Sequence, residues 1–240
     1  MLKDIRQEDV LFLDIETVPQ YSTYDEMPES IRHFWNKKAN NLVKENETPD
    51  SIFSRSGIYA EFGKIICISA GFIVQRNGTK HFRVKSFYGD NEKEILIGFA
   101  AMLTRFGAKP KSNLCAHNGK EFDFPYISRR MLLNKVELPD LLNVAGKKPW
   151  EVKFLDTMEL WKFGDYKSYT SLDLLANIFE IPSPKDDIDG SQVAEVFYVQ
   201  KDIERIVRYC EKDALAVAQL FLRYKNETII DTENIERVLE

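Results

Sequence analysis

Three short segments hold the side chains in this sequence whose types and spacing could do chemistry. In Phe12-Leu-Asp14-Ile-Glu16-Thr17, two carboxylates stand two residues apart at the end of an apolar run. On a strand that spacing puts both on one face. Two like charges so close are unfavourable unless a cation lies between them, and hard carboxylate oxygens suit magnesium or manganese. The plainer alternative is a strand that has ended, with both groups in water. The second segment is Asn118-Gly-Lys-Glu-Phe122-Asp123-Phe-Pro, where Asp123 stands just before a helix. An aspartate there commonly caps the helix. The third is Tyr209-Cys-Glu-Lys-Asp213, whose i, i+4 spacing puts Tyr209 and Asp213 on one helix face beside Ile206, Cys210 and Val217. A partly buried aspartate is costly alone, and a metal removes that cost. The everyday alternative is a surface aspartate beside a core-edge tyrosine.

The elements that would position these groups follow from hydrophobic period. Residues 10–15 form a nearly continuous apolar run, as in a strand covered on both faces. Residues 64–74 and 81–88 flank Asn77-Gly78, a strong hairpin signal. Apolar residues recur at helical spacing over 91–106, with Gly107 placed to end that helix. Further strands are expected at 113–116 and 153–156. Helices are expected at about 125–134, 171–179 (with Ser171 as N-cap), 192–198 and 202–224. Residues 181–190 read as a loop. Residues 19–62 are polar and proline-punctuated, an insertion with one or two helices and too short for a core of its own. Strands come first and then alternate with helices. That pattern predicts one α/β domain over residues 1–240 with a mixed sheet.

Composition bounds the partners. The chain has 240 residues, 44% hydrophobic and 30% charged, enough for a sizeable core and unlike a disordered chain. No segment approaches the roughly 20 apolar residues of a membrane span, and residues 1–10 carry five charges and no apolar signal core. The expectation is a soluble, cytoplasmic protein. Three separated cysteines, Cys67, Cys115 and Cys210, make no zinc spacing and fit a reducing compartment. The 33 basic and 38 acidic residues argue against grip on nucleic acid by bulk charge. They leave room for a local basic path beside an acidic metal site.

Taken together, the three segments resemble the DEDD superfamily of 3′–5′ exonucleases, in the branch whose third motif is Tyr-x-x-x-Asp, on a ribonuclease H-like fold. Asp14 and Glu16 match the first motif, Asn118 with Phe122 and Asp123 the second, and Tyr209 and Asp213 the third. The segments 116–127, 169–173 and 189–196 are similar to stand-alone relatives of the proofreading domain of family-B DNA polymerases. The resemblance implies a three-layer α/β fold with a central mixed sheet flanked by helices. It also implies two divalent ions, Mg2+ or Mn2+. Asp14 would bridge both ions, Glu16 and Asp213 would hold the one that activates water, and Asp123 would support the other. Tyr209 would orient the attacking water, since a phenol of pKa near ~10 is a poor base at neutral pH.

Thr17, Asn118 and Phe122 are candidate substrate-binding residues; Phe122 could equally pack and Asn118 fix its own turn. His117, Asp156 and Asp173 read as structural, the two aspartates as caps. A non-specific strand grip needs cations interleaved with aromatics. Candidates are Arg32, Phe34, Trp35, Lys37 and Lys38, then Arg129-Arg130, then Lys147-Lys148-Pro-Trp150, each of which could instead pack or be solvated. The implied activity is exonucleolytic hydrolysis of single strands, DNA favoured over RNA. An RNA-trimming enzyme remains open, as does a silent binding module within a replication or repair complex.

Overall fold

A computed structural model describes residues 2–165, 169–182 and 187–238. Strand β1 (Val10–Pro19) leads into an excursion holding α1 (Glu29–Ala39) and a 3₁₀ turn, Phe53–Ile58. A long hairpin follows, β2 (Gly63–Arg76) and β3 (Thr79–Tyr88), then α2 (Glu92–Gly107), β4 (Asn113–Ala116) and α3 (Asp123–Leu133). Next come β5 (Phe154–Asp156), α4 (Thr157–Lys162), α5 (Leu172–Ile178) and the short α6 (Val193–Glu195), which runs on as a π turn, Val196–Gln200. Helix α7 (Ile203–Tyr224) and β6 (Ile235–Arg237) complete the order. The six strands form one mixed sheet, β5-β4-β1-β2-β3-β6. Helices flank it, so the architecture is the α/β, ribonuclease H-like arrangement that the sequence implied. The hairpin turns at Asn77-Gly78, whose φ of 50° and 82° are the left-handed values a two-residue turn demands.

Alternation along β1 divides the core. Leu11, Leu13 and Ile15 pack against α2 and α3 through Leu96, Phe99 and Ile127. Val10 and Phe12 face α7, where Phe12 meets Phe221 edge-on at 5.3 Å. Asp14 and Glu16 continue that second face. The expectation that they end the strand is corrected. They lie within it, paired with Ser69 and Cys67 of β2, and β1 runs on to Pro19 past a bulge between Glu16 and Thr17. What ends here is the other neighbour: β4 pairs β1 only as far as Phe12. The carboxylates therefore open onto the crevice beyond the carboxyl ends of the parallel strands, where sheets of this kind leave room for ligands.

The excursion also departs from expectation. It builds a small apolar cluster of its own, in which fully buried Trp35 meets Met27, Ile52, Phe53 and Phe62, so the view that it is too short for any core is corrected. Trp35 donates its indole N–H to the Pro49 carbonyl at 2.9 Å and is no stacking platform. Arg130 is likewise no strand grip. It is buried against Glu92, the first residue of α2, and donates to the carbonyl of Ala60 as well. Strand β6 was not foreseen, and α3 begins at Asp123 itself rather than after it. Within the expected loop 181–190, residues 183–186 lie outside the described residues.

Candidate active site

The face of β1 that carries Asp14 and Glu16 is covered by α7, which brings Tyr209, Cys210 and Asp213 to it. Ligating atoms of Asp14, Glu16 and Cys210 lie within 4.8 Å of one another. The Tyr209 hydroxyl hydrogen-bonds the Asp213 carboxyl and shares its field with Glu16 and Asp14. Tyr209 is buried among Ile206, Val207 and Val18. Its hydroxyl is therefore aimed, not free to rotate into water. Cys210 is the member that sequence reasoning placed only on the apolar stripe. Its thiol donates to the Asp14 carbonyl at 3.3 Å, and burial pushes its pKa well up. It is a neutral packing group, and its one visible signal was its place between Tyr209 and Asp213.

Asp123 arrives from the opposite side, at the first position of α3. Its carboxyl takes the backbone amides of Asp123 and Ile15, so it is anchored to β1 beside the other carboxylates. A helix N-terminus favours an anion there. The loop that delivers it is held by Asp156, the last residue of β5. That carboxylate accepts the backbone N–H of Asn118 at 2.9 Å and of Lys120 at 3.1 Å. It also caps α4 through Met158. Asp156 is thus a cap, as expected, and a latch on the second motif besides. His117 is structural, with its two ring nitrogens 2.9 Å from the Thr157 hydroxyl and the Thr170 carbonyl. Ser171, not Asp173, caps α5.

The electrostatics decide what the cluster wants. Burial and then Asp213 hold Asp14 well above the usual carboxylate range, and burial and then Asp213 do the same to Glu16. Asp123 is pushed up to about 8, by burial first and by Asp156 and Asp213 against the amides that hold it down. Oxygen donors that crowd and repel one another fit a hard divalent cation, which offsets the cost of keeping each anionic. In metal-free protein the sign is clear. Folded Asp123 keeps a proton up to about pH 8 that the unfolded chain sheds near 3.8, so its contribution is present at low pH and lost as pH rises through about 8. Asp123→Asn stays neutral throughout. In EDTA, the melting temperature of the variant relative to wild type is expected to climb between pH 5 and 8.5, and a gap that is flat with pH would contradict it.

Beside the carboxylates lies a cavity of about 380 Å³, lined by Glu16, Thr17, Phe122, Arg55, Ile58 and Ser191 among others. Pockets of roughly 300–1,000 Å³ take small ligands, so one nucleotide fits. Two of the three substrate-binding candidates, Thr17 and Phe122, line it, and Phe122 also packs on Tyr126 at 5.4 Å. Asn118 does not line it. It holds a left-handed turn at φ 61°, and its buried Oδ1 makes no hydrogen bond among the described residues. The Lys147-Lys148-Trp150 cluster lies far away, just before β5 begins, where Lys147 neighbours Lys109 and Lys153.

Residues 58–238 match the family described as "Predicted 3'-5' exonuclease related to the exonuclease domain of PolB". The chain belongs to this family. The matched stretch includes Asn118, Phe122, Asp123, Tyr209 and Asp213. Asp14 and Glu16 precede it and are brought to it by the pairing of β1 with β2. An exonuclease family implies a hydrolase acting on nucleic acid. No curated protein matches the chain. Among the described residues, no helix is long and apolar enough to cross a membrane.

Proposed function

We propose that this exonuclease-family chain is a metal-dependent 3′–5′ exonuclease acting on single strands, DNA in preference to RNA. The observation that carries the reading is the convergence of Asp14, Glu16, Asp123 and Asp213 with the Tyr209 hydroxyl at one stretch of β1, Asp123 from the α3 side and the others on the α7 side. Asp14, Glu16 and Asp213, with Asp123 opposite, would hold two divalent ions, Mg2+ or Mn2+. Such ions supply the charge that makes water nucleophilic at neutral pH and steadies the leaving oxygen. The chain's own groups do the positioning. Tyr209 keeps its proton, because burial and then Asp213 push its pKa far up. It therefore orients a water by hydrogen bonding and removes no proton. Thr17 and Phe122 border the space for the terminal nucleotide, and Asn118 shapes the loop that leads to Asp123. Stacking and backbone contacts of this kind hold a strand whatever its bases, so degradation is independent of sequence.

Three buried free cysteines fit a reducing compartment, which supports the cytoplasm. The exposed excursion leaves room for docking to replication or repair proteins. The test is chromatography of the products from matched single-stranded DNA and RNA. Nucleoside 5′-monophosphates are expected, faster from DNA. Faster release from RNA would overturn the DNA preference, and release of oligonucleotides would overturn the exonuclease reading.

A further inference from the structure

One wall of the cavity comes from the excursion, almost wholly outside the stretch that matches the family. The 3₁₀ turn Phe53–Ile58 supplies Ser54, Arg55, Gly57 and Ile58. The turn is fixed. A Cβ on Gly57 would stand 2.9 Å from the Val18 carbonyl carbon, so glycine lets the turn sit directly on β1. Tyr126 of α3 donates its hydroxyl to the Gly57 carbonyl at 2.7 Å. Among the described lining residues Arg55 is the one cation, and the floor nearby is anionic through Glu16. Its side chain is 43% exposed and pairs with Glu47 at 3.2 Å, a carboxylate held in turn by the Lys44 amide at 2.9 Å.

An exposed pair of this kind is worth little in water, so exchanging one anion for another costs little. A guanidinium fork matches a phosphate better than any other side chain does. We propose that Arg55 binds a backbone phosphate of the strand entering the cleft, displacing Glu47, and so makes the excursion part of the substrate site. The assignment rests on the exonuclease reading above. Ile58, exposed on the same turn, and Phe122 across the cavity give the sugar and base adjoining that phosphate apolar surface. Contact to phosphate positions the strand without selecting its sequence.

The test is fluorescence anisotropy of a labelled oligo-dT strand with the full chain in calcium, with the strand checked for integrity afterwards. Arg55→Ala is expected to weaken binding on the order of tenfold. It should also flatten the dependence of log affinity on log salt by about 0.7, the value for one lost phosphate contact on a single strand. A merely structural loss does not change that slope. Arg55→Lys should keep the slope and recover part of the affinity, and Glu47→Gln should tighten binding. Lys147→Ala, at the far end, should change neither. Wild type that binds the strand in calcium and degrades it in manganese, while Arg55→Ala matches it in affinity and slope, would overturn the assignment alone. Wild type that neither binds nor degrades single strands would overturn the exonuclease reading, and the assignment with it.

Discussion

Asp14→Asn is expected to lower nuclease turnover on the order of 10³-fold or more while leaving the chain folded. Losing one preorganised charge-stabilising group alone costs about 10²–10³-fold in other hydrolases. Asp14 stands among Asp213, Glu16 and Asp123, so its loss removes a donor that faces all three of the other carboxylates. The fold should not suffer. Burial and three like charges already disfavour its anionic form, and asparagine is neutral at similar volume. Metal-free variant should therefore be at least as stable as wild type at neutral pH, the reverse of its activity. Circular dichroism melts in EDTA beside a steady-state assay check both halves. An inactive variant that is also strongly destabilised would assign Asp14 to the fold instead.

The second large effect is structural and lies away from the carboxylates. Arg130→Met is expected to cost about 3–5 kcal/mol of stability, the usual penalty for stranding one buried charge. Glu92 takes the Ile65 amide at 2.7 Å and the Arg130 Nε at 2.8 Å, and its other oxygen takes Asn134 at 2.8 Å. Arg130 reaches on to the Ala60 carbonyl at 2.9 Å and Gln20 at 3.0 Å. One ion pair thus ties α2, α3 and β2 to both ends of the excursion. Adding Glu92→Leu to Arg130→Met should recover part of the loss, because no lone charge is then left buried. Urea denaturation of the two single variants and the double variant measures the coupling. Additive losses would show that the two groups act independently. The same pair seats the excursion, so the single variants should also weaken the grip attributed to Arg55.

The sequence made visible whatever depends on local period or on turn chemistry. The hairpin at Asn77-Gly78, the stripe of α7 and the N-cap at Ser171 all follow from neighbours within a few residues. The carboxylates of β1 were legible because Asp14 and Glu16 break an apolar face at period two, where packing would otherwise demand Val or Ile. The ion pair of Glu92 and Arg130 was not legible. Its partners lie 38 residues apart on two helices, a separation that no local period spans. Nor was the latch at Asp156, where one carboxylate serves both α4 and a loop 36–38 residues earlier. Strand β6 has three residues, too few to show a period, and it forms because the edge of β3 is open to pair. The length of β1 was set by its antiparallel partner β2, which pairs it to Pro19 whatever the local propensity.

Digestion of a 5′-labelled single DNA strand by the full chain in manganese tests the central claim most directly. It runs beside an EDTA lane and beside Asp14→Asn. A ladder that shortens from the 3′ end with time, absent from both controls, is the expected result. A ladder that persists in EDTA or in Asp14→Asn would contradict the account, and so would an intact strand after incubation with well-folded wild type.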